Sequence, residues 1–334
     1  MKTIREWTNV NRNIFESEIV PLNQPAVIKG LADSWPAVKA AKKSPQEICD
    51  YICQFDNGTP AETILTPASS HGRFFYNKYI NGFNFEVKPL PITDTINHLL
   101  SISEQQKSDS IAIQGISIPN HLPNFSDENS TTLLDERIKA RAWLGNRATV
   151  QTHFDYSDNL AFVVAGRRKF TLFPPKQLKN LYIGPLMATP ANVPVSMVDI
   201  KNPDLKRYPR YTLALQELYE STLVPGDAIF IPYMWWHNVE SLDPINLLIN
   251  YFWKEPASTF NAPMLSLMHA KLSISNLPIN DKSIWKNLFN HLVFDADEST
   301  ADYLPEELED IIKDLSPDKK QKFKNWLAHK TLSL

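Results

Sequence analysis

Thr152-His153-Phe154-Asp155 places an imidazole and a carboxylate two residues apart, in a run from Thr149 to Phe154 whose residue types predict a strand. Residues two apart on a strand share a face, so His153 and Asp155 aim at a common point. Trp235-Trp236-His237 supplies a second imidazole from a strand far along the chain. Two histidines and one carboxylate on one face of an octahedron leave three adjacent positions open, the donor set of non-haem Fe(II) oxygenases. A bidentate cosubstrate and dioxygen need those positions. His-x-Asp alone is a weak signal, and its surroundings strengthen it. A Gly166-Arg167-Arg168-Lys169 hairpin turn follows, then Phe170-Thr171-Leu172-Phe173-Pro174-Pro175. A Pro225-Gly226-Asp227 turn later leads by strand to Ile231-Pro232 and His237.

The elements that must position these groups are short strands. Ile111 to Gln114, Ala142 to Gly145, Thr149 to Phe154, Leu160 to Val164, Lys169 to Phe173, Ala228 to Ile231 and Ile245 to Phe252 are β-branched or aromatic runs. Turn residues such as Gly145-Asn146, Ala165-Gly166 and Asp243-Pro244 separate them, the pattern of a jelly roll rather than of alternating βαβ units. The sequence therefore predicts a mainly β protein with helical additions. It divides into a mixed N-terminal part (1–110), a β-rich core (111–255) and a helical region (256–334). In the first part Pro25 to Ile28 reads as a strand, Ser44-Pro45 opens a helix, Phe74 to Phe85 reads as a hairpin and Ile92 to Ser103 as a second helix. Residues 175–222 form a long insertion with a helix near Leu213 to Tyr219. In the last part Met264, Leu265, Met268 and Leu272 fall at helical spacing, as do Ile284, Trp285, Leu288, Phe289 and Leu292. Two more helices are expected, Pro305 to Asp314 and Pro317 to His329.

The chain has 334 residues, 25 of them proline and only 9 glycine, which predicts ordered turns rather than flexible linkers. The formal net charge of −3 shows neither the basic excess nor the basic stripe of a nucleic-acid binder, so no nucleic-acid partner is expected. The two cysteines, Cys49 and Cys53, lie four apart on a helix, a poor disulfide geometry, and no zinc spacing surrounds them. With no apolar leader at the start and no apolar run long enough for a bilayer, the expectation is a cytoplasmic protein without membrane attachment.

The segment from Trp143 to Trp253 resembles the cupin-like JmjC family, which includes the asparaginyl hydroxylase of hypoxia-inducible factor. The matching motifs are His153-Phe154-Asp155, Asn159, Leu172-Phe173-Pro174-Pro175, Pro225-Gly226-Asp227, Ile231-Pro232, Trp235-Trp236-His237 and Asn250-Tyr251-Phe252-Trp253. The resemblance implies a double-stranded β-helix, Fe(II) on His153, Asp155 and His237, and 2-oxoglutarate as cosubstrate for hydroxylation of a protein side chain or small molecule. It also implies dimerisation through the C-terminal helices. The carboxylate pocket departs from the family pattern. Arg168 stands where the asparaginyl hydroxylase has lysine, and the helper tyrosine and threonine fall at Ala112 and Val150, which cannot donate. Lys169 should face away from Arg168. Gln114, Asn159 and Asn250 remain as candidate polar groups of the cosubstrate pocket. Two alternatives stay open: a metal-binding cupin without 2-oxoglutarate turnover, and a non-catalytic binding module.

Overall fold

In the computed structural model, which describes residues 2–105, 108–191, 193–254, 263–305, 311–312 and 315–332, two β-sheets face each other. One has the strand order Lys2–Thr3, Tyr219–Leu223, Arg168–Phe173, Trp236–Ser241, Thr149–His153, Arg73–Phe74. The other, of nine strands, is centred on Ala228–Ile231, Asp158–Ala165, Asn246–Trp253, Ala140–Gly145 and Ser110–Ser117. Together they make the mainly β jelly roll that the punctuated strands predict.

Strand alternation explains the layers. Leu160, Phe162 and Val164 point out of the larger sheet into a core shared with Phe15, Trp35 and Ile48. Ala161 and Val163 point the other way, into the space between the sheets, where they meet Phe170, Leu172 and Ile229. Both faces of this strand are therefore buried, and it reads as a continuous apolar run rather than an alternating one. On the outer face of the smaller sheet Phe154, Phe173 and Trp236 pack under the 175–222 insertion through Leu181, Tyr211 and Ala214. The adjacent tryptophans thus serve different layers, Trp235 between the sheets and Trp236 outside.

The Gly166 turn is not a hairpin. Asp158–Ala165 and Arg168–Phe173 lie in opposite sheets, so the chain crosses from one to the other there. Gly166 has φ +68°, and a Cβ on it would sit 2.6 Å from the Ile245 carbonyl oxygen, so glycine is required. The segment from His153 to Asp158 crosses likewise. These crossings set Asp155 and Arg168 at the space between the sheets.

Residues 1–110 supply strands to both sheets, Lys2–Thr3 and Arg73–Phe74 to the smaller and Ala26–Ile28 and Ala61–Thr66 to the larger. The expected helices stand at Pro45–Cys53 and Ile92–Ile102; Ser44 accepts a hydrogen bond from the Glu47 amide at 3.1 Å as N-cap. Both cysteines are free thiols. In the insertion the helix is shorter and earlier than expected, Tyr211–Gln216. Tyr219–Leu223 is instead a strand, because it pairs with both Arg168–Phe173 and Lys2–Thr3. Met1–Ala257 forms one compact unit and Ser258–Leu334 a second. The second holds helices Pro263–Ile274, Ile279–Phe289 and Pro317–Leu332 and exposes many apolar side chains, among them Leu272, Ile284 and Phe294. The expected Pro305 to Asp314 helix lies for the most part outside the described residues. No helix among the described residues is long and apolar enough to cross a membrane.

Candidate metal centre and its cavity

His153 and His237 are direct cross-strand partners in antiparallel register. Their rings lie 4.2 Å apart. Asp155 lies just past the end of the Thr149–His153 strand rather than on it, yet it reaches the same point. Its carboxylate oxygens stand 4.0 Å from His153 Nε2 and 3.5 Å from His237 Nε2. One ligand atom from each of the three residues lies within 4.8 Å of the others. What holds Asp155 there is the turn before His237: the Met234 amide donates to the Asp155 carbonyl at 3.1 Å, and the Tyr233 amide to the Asp158 carboxylate at 2.8 Å. Met234 takes a left-handed backbone, φ 63°, uncommon for a non-glycine residue and found most often where the surrounding structure imposes it.

The histidine tautomers follow from their partners. Nδ1 of His153 meets the Gln151 carbonyl at 2.7 Å, and Nδ1 of His237 meets the Trp235 carbonyl at 3.0 Å. A carbonyl only accepts, so each Nδ1 carries a proton and donates it, and each Nε2 is left to face the shared site beside the carboxylate. This backbone support of ligating imidazoles is the usual arrangement around bound metals. Burial, reinforced by the neighbouring His237 ring, pulls His153 down to about 4, so its imidazole is neutral at physiological pH.

The three groups open onto a small cavity of about 60 Å³ between the sheets. Arg168, Phe170 and Val239 line it from one sheet, and Trp143, Asn159 and Asn250 from the other. Alternation along Arg168–Phe173 turns Arg168, Phe170 and Leu172 inward and Lys169 outward, where Lys169 pairs with Glu220 at 2.8 Å. Arg168 is 6 % exposed and makes no ion pair among the described residues. One Nη2–H reaches the Trp143 carbonyl at 3.2 Å, while Nε has no partner. Burial alone pulls the guanidinium down to about 9, still charged at neutral pH. An isolated buried cation is costly, and a bound anion would relieve that cost.

The asparagines form a directional relay. Trp143 Nε1–H donates to Asn250 Oδ1 at 2.8 Å, and Asn250 Nδ2–H donates to Asn159 Oδ1 at 3.0 Å. Since indole can only donate, both amide orientations are determined, and the relay ends in the Asn159 amino group. Gln114 is not among the cavity-lining residues. A bulge between Ile113 and Ile116, with Gly115 at φ +65° against the Trp143 ring, interrupts the strand beside it. Ala112 likewise packs with Ile64, Phe74 and Ala148, so of the two expected helper positions only Val150 borders the cavity. Trp143, which holds Arg168 by its carbonyl and Asn250 by its indole, has no sequence signature beyond lying on a core strand.

Comparison with known proteins agrees with this geometry. The cupin-like domain family matches residues 11–259. A protein named lysine-specific demethylase JMJ31, from Arabidopsis thaliana, is 27 % identical over 272 residues, covering 72 % of this chain and 48 % of its own. Human HSPB1-associated protein 1 is 40 % identical over 110 residues, 32 % of this chain and 22 % of the relative. Human tRNA wybutosine-synthesizing protein 5 is 40 % identical over 103 residues, 31 % and 30 % respectively. The chain spans about half or less of the length of these relatives.

Proposed function

The chain belongs to the cupin-like family, of the JmjC type, and from that premise we propose that it is an Fe(II)- and 2-oxoglutarate-dependent dioxygenase that hydroxylates a protein side chain or a small molecule. The observation that carries the reading is the pairing of two features in one cavity: a preorganised His153–Asp155–His237 donor set and a buried Arg168 with no counterion among the described residues. The donor set fits ferrous iron, with two imidazoles, one carboxylate and room for further ligands. Arg168 fits a carboxylate, because its orphaned Nε can join an Nη in a forked pair.

When bound, iron and 2-oxoglutarate supply the oxidising chemistry, coupling decarboxylation of the cosubstrate to oxidation of the substrate. The protein contributes placement. Arg168 holds the distal carboxylate, and Gln151 and Trp235 carbonyls aim the imidazoles. Phe170, Ile231 and Leu248 keep water from the interior side of the cavity, and the amide relay offers N–H donors at Asn159 to an oxygen of cosubstrate or substrate.

We further propose that the protein acts in the cytoplasm and forms a homodimer by covering the apolar faces of Ser258–Leu334, which carry more exposed apolar side chains than a monomer usually shows. The demethylase and wybutosine names among the relatives belong to different substrates, so family membership leaves the substrate open.

Anaerobic addition of Fe(II), then 2-oxoglutarate, tests the central reading. A visible charge-transfer band is expected when the cosubstrate chelates the iron. Bound iron without such a band would favour a metal-binding cupin lacking 2-oxoglutarate turnover, the reading that Val150, with no hydroxyl to offer a carboxylate, keeps open. No iron uptake would leave a non-catalytic binding module.

A further inference from the structure

Residues 175–210 carry six cations, Lys176, Lys179, Lys201, Lys206, Arg207 and Arg210, against the two carboxylates Asp199 and Asp204, in a chain whose overall charge is −3. Two of the cations are neutralised, Lys176 by Glu217 at 3.2 Å and Lys201 by Glu240 at 2.8 Å. Both carboxylates line the depression that holds Lys78 and Arg207, so the cations there outnumber rather than replace them. Asp199 takes Arg73 at 3.2 Å and the Lys201 amide at 3.0 Å. Asp204 accepts the Lys206 and Arg207 amides at 3.1 and 3.0 Å. Lys179, Lys206, Arg207 and Arg210 have no ion-pair partner among the described residues, nor does Lys78, which the fold brings in from far along the chain.

Two adjoining depressions of about 310 and 440 Å³ share Met197, Arg207 and Tyr208 and together make a groove. Lys78 and Arg73 line one part, Lys179 and Arg210 the other. Aromatic rings alternate with these cations. Tyr182 and Tyr208 meet edge to face at 5.0 Å. The Arg210 guanidinium lies 4.4 Å from the Tyr182 ring centre, and that of Arg207 5.3 Å from Tyr208. The groove is also tied to the metal strand. Val195 bridges His153, and the Ser196 amide donates to the Thr152 carbonyl at 2.7 Å.

We propose that this groove binds a segment of single-stranded nucleic acid, its phosphates on Lys78, Lys179, Arg207 and Arg210 and its bases against the tyrosines. Unneutralised cations select a polyanion, and interleaved rings select one with flat faces to stack. An acidic peptide would satisfy the cations but give the rings no partner. A duplex would present phosphates while hiding its base faces. The proposal concerns binding alone and stands apart from the oxygenase chemistry.

The test is fluorescence anisotropy of a labelled dodecameric oligouridylate with the full chain across a salt series. Micromolar or tighter binding at about 50 mM salt is expected, weakening as salt rises. The Lys179→Gln/Arg207→Gln/Arg210→Gln variant should lose at least about tenfold in affinity, and its log–log salt slope should fall by about two, since each phosphate contact to a single strand contributes about 0.7. Tyr208→Ala, which removes the ring that lines both depressions, should lose several-fold with an unchanged slope. Iron uptake should persist in every variant, which separates loss of the groove from loss of the fold. Absence of binding at low salt, or equal binding by the triple variant, would overturn the proposal. Displacement of the oligonucleotide by an oligoglutamate peptide of equal charge at equal concentration would overturn it in favour of an acidic protein partner.

Discussion

The two ends of the cavity are built on different principles. At the metal end every supporting group has its partner: each Nδ1 has a backbone carbonyl, and the turn that carries His237 is hydrogen-bonded to Asp155 itself. At the other end a single guanidinium is buried with one nitrogen unsatisfied and no counterion among the described residues. The metal end is complete as a ligand set without help from a cosubstrate. The Arg168 end is complete only when an anion arrives. A protein that merely needed a stable core would gain by replacing Arg168 with an apolar residue, because a buried unpaired charge destabilises the fold. The contrast marks the Arg168 end as a binding subsite.

The largest effect should come from breaking the metal end. His153→Ala removes one of three ligands, and iron retained after desalting should fall from about one per chain to background, with no turnover. Full iron content in that variant would end the triad assignment. Breaking the other end should separate binding from stability. Arg168→Met should weaken 2-oxoglutarate affinity by roughly a hundredfold, as expected for truncating one side of a buried charged pair, while iron content stays intact. The same variant, free of ligand, should melt a few degrees higher than the parent, since a similar volume replaces an uncompensated charge. A lower melting point with unchanged affinity would make Arg168 a structural residue. Between the two ends lies the amide relay. Asn250→Leu strands the Trp143 indole N–H and the Asn159 oxygen together, and should cost about 2 kcal/mol of stability and several-fold in cosubstrate or substrate affinity. A loss of stability alone would limit the relay to packing.

The same contrast shows what a sequence makes visible. The triad is legible because His153, Asp155 and His237 have types and spacing that few other arrangements explain. The inward face of Arg168 and the outward face of Lys169 follow from strand alternation. Gln114 is a candidate only through the family resemblance, and the Gly115 bulge beside it leaves little trace in residue types. The expected helix runs on to Tyr219, where the chain is already in the Tyr219–Leu223 strand, because the partners of that strand, Arg168–Phe173 and Lys2–Thr3, lie far away in the chain and pairing overrides local propensity. The basic groove is hidden for a related reason. Its cations come from Lys78 and from a stretch around residue 200, and the net charge of −3 averages them away. Distance in sequence, rather than subtlety in chemistry, separates the legible features from the others.

Val150 offers the smallest change and the sharpest comparison. It borders the cavity on the strand that carries His153, and its neighbour across the strand pair is Val239, whose own partner on the far side is Phe170. Arg168 lies two residues from Phe170 on the same inward face. Val150→Thr adds one hydroxyl to that surface. In the free protein the hydroxyl is buried beside apolar groups and should cost about 1 kcal/mol. With a carboxylate held by Arg168 it gains an acceptor, so 2-oxoglutarate affinity should improve by several-fold. The coupling can be read directly as a larger ligand-induced rise in melting temperature for Val150→Thr than for the parent, and as its disappearance in the Arg168→Met background. If the hydroxyl destabilises the free and ligand-bound forms equally, the carboxylate does not sit between Arg168 and Val150, and the anion subsite must be placed elsewhere in the cavity.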